Sequence, residues 1–167
     1  MSKERRPERK RVTMERTFRA TLAEVWELWT TKDGIESWWG PDGFHVVVQR
    51  LELRPGGVLE YTMNASGEEQ VAALKKMGMP ASHPARLTFQ EIVPEKRLAY
   101  LHAADFIPGV EPYDVAYLVE LFAQGDEVRM VVSFEAMHDE RWTGMAQAGW
   151  EQEFGKLQRL LESRRQG

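Results

Sequence analysis

Apolar and polar residues alternate from Val12 to Phe18, and the pattern predicts a strand in which Arg16 interrupts the apolar face. Thr21 and Glu24 then stand three apart at the start of an apolar-periodic stretch, the spacing of a capping box. Leu22, Val25, Trp26 and Trp29 follow at helical intervals and predict a helix over 22–30 with an aromatic-rich face. A second short helix is expected over Asp33–Trp39, ended by the turn residues Gly40-Pro41-Asp42-Gly43. Strand signals dominate the middle of the chain. Phe44–Leu53 and Val58–Asn64 form one pair around Arg54-Pro55-Gly56-Gly57, a turn that proline and glycine favour for conformational reasons. In the second of these strands Leu59, Tyr61 and Met63 share one face, and Glu60 and Thr62 the other. Arg86–Val93 with Arg97–Ala103, and Val115–Ala123 with Val128–Phe134, are the next two hairpins. Asp139 is placed to cap a closing helix over Trp142–Ser163. Its apolar positions Met145, Trp150, Phe154, Leu157 and Leu161 stay near one stripe, and its length is roughly 33 Å.

The order is strand, two short helices, six strands, long helix, an α+β arrangement in one domain. About seven antiparallel strands present one apolar face, and the long helix with two short ones is the material available to cover it. A sheet curled around a helix tends to leave a cavity between them. The domain is expected over 12–163, with 1–11 and 164–167 as tails. Two segments are longer than hairpins need. One is 65–84, which holds a helical-looking Glu68–Met77; the other is 104–113, with Phe106, Pro108 and Tyr113. Long ordered loops often serve as lids or binding loops, and a plain surface insertion is the alternative for 65–84.

A net charge of -4 argues against nucleic acid as a partner, since such proteins carry a basic excess. The lack of cysteine excludes disulfides and thiolate catalysis and makes a reducing cytoplasm the simplest expectation. No apolar run approaches the ~18–20 residues that span a bilayer, and no signal-peptide core follows the basic N-terminus.

Familiar catalytic motifs are absent: there is no phosphate-binding glycine loop and no nucleophile elbow. His45, His83, His102 and His138 show no metal-binding spacing, so neither a metal nor a cofactor is expected. His102 follows Leu98 and Tyr100 at period two and should face inward, where it could contact a ligand or move a proton, with Asp105 near enough in sequence to orient it. A core histidine satisfied by its neighbours is the bland alternative. The aromatics carry more weight. Trp39, Tyr61, Tyr100, Phe106, Tyr113, Tyr117 and Trp150 lie on elements that should frame the cavity, and Met63 and Met145 add adaptable surface. The same residues are also ordinary core filler. Trp38 and Trp39 are adjacent, so one of them is expected to be partly exposed or to line the cavity mouth. Glu60 and Glu120 should face water by simple alternation.

Four stretches in order resemble one family. They are Trp38-Trp39-Gly40-Pro41, then Glu52-Leu53-Arg54-Pro55-Gly56-Gly57, then Glu91-Ile92-Val93-Pro94-Glu95-Lys96-Arg97-Leu98, then Gly149-Trp150 before an apolar helix end. Over about Val12 to Leu161 the chain is similar to activator-of-Hsp90-ATPase homologues of the START-like (SRPBCC) superfamily. That resemblance implies a helix-grip fold, a curved antiparallel sheet around the long C-terminal helix, and a ligand cavity; it implies no catalytic residue. Segments 65–84 and Met137–Trp142 depart from the family pattern near the expected cavity mouth. Three functions follow as expectations. The first is binding of a hydrophobic small molecule. The second is a co-chaperone or regulatory module with a protein partner. The third is a cyclase- or hydrolase-type enzyme using His102 with Asp105, or Glu60 and Glu120. Monomer and homodimer are both open.

Overall fold

Wherever apolar residues alternate, the computed structural model forms strands; it describes residues 10–105, 107 and 109–166. In chain order the elements are β1 (Arg11–Arg19), α1 (Leu22–Thr30), α2 (Lys32–Glu36), β2 (Phe44–Leu51), β3 (Val58–Ala65), α3 (Glu68–Lys76), β4 (Ser82–Val93), β5 (Arg97–Ala104), β6 (Tyr113–Gln124), β7 (Glu127–Glu135) and α4 (Glu140–Gln166). Among the described residues the strands make one seven-stranded antiparallel sheet in the order β1-β7-β6-β5-β4-β3-β2. The first two strands of the chain are therefore its two edges, and α1–α2 spans from one edge to the other. Register shifts at Val48/Arg50 in β2 and Phe89/Glu91 in β4 add local bends to the twist. The result is an α+β fold, a curved sheet holding a long C-terminal helix.

Local chemistry explains the helix ends. The Thr21 side chain accepts from the Glu24 backbone N–H at 3.1 Å, the forward half of the expected box. The Glu24 carboxylate instead approaches Arg164 of α4 at 3.6 Å. Asp139 caps α4 as expected, its Oδ1 accepting from Trp142 N–H at 2.8 Å. Helix α2 ends at Glu36 rather than Trp39, because a turn at Ser37 frees both tryptophans to point inward. The domain bounds also move. Residues 164–166 continue α4 instead of forming a tail, held by the Arg164–Glu24 contact and by a 2.7 Å bond from Arg165 Nε to the Arg19 carbonyl. Of the tail expected over 1–11, residues 1–9 lie outside the described residues, and Arg11 begins β1.

One face of the sheet packs on the helices. Phe89, Tyr100 and Phe134 from the strands join Trp29 and Phe154 from the helices and Trp38 just after α2 in the core, all fully buried. Arg16, which interrupts the apolar face of β1, reaches α4: its guanidinium bonds Glu151 at 3.1 Å and Gln158 at 3.2 Å and lies 5.8 Å from the Phe154 ring centre. The two halves of α4 do different work. Phe154, Leu157 and Leu161 are buried in the core, whereas Met145 near its start is 41% exposed. The first half of the helix therefore roofs a space that the second half fills.

Candidate functional site

That space is a cavity of about 240 Å³. It exceeds by more than tenfold the roughly 10–15 Å³ that admits one water molecule on a probe-based measure. Its floor is the inner face of the sheet. Tyr61 and Met63 come from β3, Leu87 from β4, Tyr100, His102 and Ala104 from β5, and Val115 and Tyr117 from β6. Period-two alternation puts these residues on one face, and register puts them side by side: Tyr100 opposes Tyr117, and Leu87 opposes His102. The Tyr100 and Tyr117 rings stack at 5.1 Å. The roof is Trp142, Met145, Ala146, Gly149, Trp150 and Glu153 of α4, with Met137 just before it. Trp39 and Pro41 close one end, and the Trp39 ring meets Tyr61 edge-on at 5.5 Å.

The walls are apolar with a few embedded polar groups. Burial raises the Tyr117 hydroxyl to about 12, opposed by a hydrogen bond with the Trp150 side chain. Burial also pushes up Tyr61 and Tyr100, and the Glu153 charge adds to both. Burial holds His102 down at about 4, although the Asp105 charge pulls it up. Among the described residues, Trp39 Nε1 and the Tyr100 hydroxyl are buried without a hydrogen-bond partner. Each such group left unmet costs about 1–3 kcal/mol.

Glu153 is the charged group in this wall. It is 8% exposed, and its Oε1 accepts from the Gly40 backbone N–H at 2.8 Å. Gly40 can present that N–H because it adopts φ +91°, a conformation that suits glycine. Burial raises the Glu153 carboxyl to about 7, against the opposing Gly40 bond and the Lys156 charge. Lys156, one turn on, donates to the carbonyls of Gly40 at 2.8 Å, Phe44 at 3.3 Å and Trp39 at 3.4 Å. The pair thus pins the Gly40 segment to α4 by its N–H and by its carbonyls. Burial pulls the Lys156 pKa down.

The structure gathers Trp39, Tyr61, Met63, Tyr100, His102, Tyr117, Met145 and Trp150 around one cavity. Tyr113 is not in its wall. The Tyr113 hydroxyl sits 2.8 Å from His138 Nδ1 and accepts from the His138 N–H at 3.2 Å, which draws the ring toward the α4 approach. Phe106 lies outside the described residues. Asp105 is exposed and outside the wall, acting on His102 through its charge. Trp38 and Trp39 are both buried, at 0% and 5%, so of the two alternatives expected for the pair it is the cavity lining, not partial exposure, that the structure shows, at Trp39. They achieve it by dividing the interior: the Trp38 indole donates to the Leu28 carbonyl at 2.8 Å, while Trp39 faces the cavity. Of the two unusual segments, Met137–Trp142 borders the cavity, whereas nothing in 65–84 does and α3 has no buried residue. Glu153 was missed. It stands three residues after Trp150 and four before Leu157, so helical spacing alone places it on the buried side.

Residues 19–162 match the family described as Activator of Hsp90 ATPase homolog 1-like protein. The chain belongs to that family. Solved structures agree on the fold. A Chromobacterium violaceum protein superposes with TM-score 0.75 at 20% identity, covering 91% of this chain and 96% of its own. The AHSA1-like protein of Aeromonas hydrophila gives TM-score 0.71 at 18% identity, covering 93% and 94%. The AHSA1 protein of Silicibacter pomeroyi gives 0.71 at 16% identity, covering 93% and 99%. These likenesses establish the START-like fold that the sequence motifs resemble. Among curated proteins none matches the chain. Among the described residues no helix is long and apolar enough to cross a membrane.

Proposed function

We propose that this member of the Activator of Hsp90 ATPase homolog 1-like family binds a small lipophilic molecule between the sheet and α4. The observation that carries the reading is the cavity of about 240 Å³ with aromatic and aliphatic walls and a few convergent polar groups. Enclosure by apolar surface supplies affinity, and sparse polar groups fix orientation. The START-like fold is in keeping with this use, and a cysteine-free chain fits the reducing cytoplasm.

Two other readings fit less well. The exposed large apolar residues Val47, Leu53, Val71, Val93, Phe122 and Met145 are spread over separate elements or loops; Met145 borders the cavity, and Phe122 lies under the Arg129 guanidinium at 4.4 Å. That scatter does not favour a protein-docking surface. For acid–base catalysis, His102 at about 4 is a weak base near neutrality.

The test is a melting screen against lipophilic compounds. A ligand at about 100 times its Kd adds about 2.7 kcal/mol, which raises Tm by roughly 5–10 °C for a chain of this size. Gly149→Phe supplies the control. A side chain built at Gly149 has open space within 4 Å, so it fills the cavity without a backbone clash. Hits should vanish in this variant, and hits that persist unchanged would place binding elsewhere.

A further inference from the structure

The cavity wall holds a carboxylate that makes no direct ion pair among the described residues, although the charge of Lys156 acts on it. Glu153 is more than nine-tenths buried and lines the cavity. Its Oε1 is occupied by the Gly40 N–H, and among the described residues Oε2 has no hydrogen bond. Lys156 does not pair with it directly, because its ammonium is spent on the carbonyls of Trp39, Gly40 and Phe44. Facing Glu153 from the sheet are Tyr61, Tyr100 and Tyr117, each within reach of its charge. Trp39 and Trp150 flank it.

A buried carboxylate is stable when a cation or several donors meet it. Aromatic rings around such a carboxylate add attraction for a cation through their negative faces. An anionic head group would meet Glu153 as a like charge in a low-dielectric wall. A neutral hydroxyl would satisfy Oε2 but add no countercharge to that of Lys156. We propose that the ligand is a lipophilic amine whose cationic nitrogen sits against Glu153 among the Trp39, Tyr61 and Tyr117 rings. This rests on the lipophile-binding reading and adds to it a head-group chemistry.

The experiment compares three molecules of equal chain length, decylamine, decanol and decanoate, by titration calorimetry. It is run at about pH 8, where the amine is charged and the carboxylates are ionised. Decylamine should bind at least about tenfold more tightly than decanol, and decanoate more weakly than either, given the usual strength of a charge-assisted hydrogen bond. In Glu153→Gln decylamine should lose its advantage over decanol, and circular dichroism shows that the variant is folded. Decanol binding as tightly as decylamine, or an amine preference that survives Glu153→Gln, would overturn the amine assignment and leave the lipophile reading standing. Failure of all three to bind would overturn the lipophile reading itself.

Discussion

Glu153 should leave a signature in the pH dependence of stability. Its carboxyl rises from the usual 4.5 to about 7 on folding, mainly through burial. The folded state therefore holds this proton more tightly than the unfolded chain. Stability from this group is fully present below pH 4.5 and is lost as pH climbs through about 7. At 1.36 kcal/mol for each pH unit, the loss is roughly 3 kcal/mol. His102 works in the opposite direction. Its pKa falls from 6.5 to about 4, so its contribution is present above 6.5 and is lost as pH falls through 4. In the wild type the two slopes nearly cancel between about pH 4.5 and 6.5. Glu153→Gln removes one of them. Gln resembles the protonated acid and can still accept from Gly40 N–H, so the variant should gain on the wild type as pH rises. Urea unfolding of both proteins at half-unit steps from about pH 4.5 to 8 gives the difference curve, in which the His102 contribution drops out. That curve should rise by about 3 kcal/mol, with its midpoint about halfway between 4.5 and 7 and a plateau above neutrality. A flat difference curve would refute the argument, because it would mean that Glu153 keeps its ordinary affinity for the proton after folding.

Other perturbations probe the supports of the cavity. Gly40→Ala should destabilise by about 1–2 kcal/mol, because φ +91° is costly for alanine and the new Cβ would stand 3.3 Å from Phe44 Cβ; thermal unfolding measures it. Phe154→Ala should cost about 3–5 kcal/mol in denaturant unfolding, since the ring is fully buried where α4 meets the sheet. Arg16→Ala should cost about 1 kcal/mol and Arg16→Met less, because Met keeps apolar bulk beside Phe154, where the Arg16 guanidinium carbon lies 5.8 Å from the ring centre, while the Glu151 carboxylate is largely exposed. Equal losses in the two variants would show that the charge, not the packing, anchors β1 to α4.

The fold was legible in the sequence because its two periods are clean. Strand alternation around Tyr61, Tyr100, Tyr117 and Phe134, and the stripe Trp150–Phe154–Leu157–Leu161, each report which side faces inward. A floor residue announces itself by parity, so most of the cavity floor was readable. Tyr113 was misplaced for a reason parity cannot reveal. It stands at the start of β6, where a partner from another element, His138, decides the ring's direction. The tryptophan pair shows the same limit: adjacency argues against shared burial only inside a regular element, and Ser37–Trp39 follow the end of α2.

Glu153 is the instructive omission. Its charge assigns it to solvent on any hydropathy scale, and its neighbours Glu151, Gln152 and Lys156 strengthen that impression. Its angular position says the opposite, since at about 100° per residue it lies roughly 40° from Leu157 and 60° from Trp150, on the flank of the apolar stripe. When charge and periodicity disagree on a helix that must cross a whole domain, position prevails, because rotating the helix to expose one carboxylate would also turn its angular neighbours Leu157 and Trp150 outward. Fully exposing one such side chain costs about 1.5–3 kcal/mol, so the two together match or exceed the roughly 3 kcal/mol that burying Glu153 forfeits at high pH. The carboxylate is therefore carried into the cavity by the apolar stripe around it. A polar residue that packing forces inside, rather than one that seeks the interior, is where this fold can acquire selectivity for a ligand.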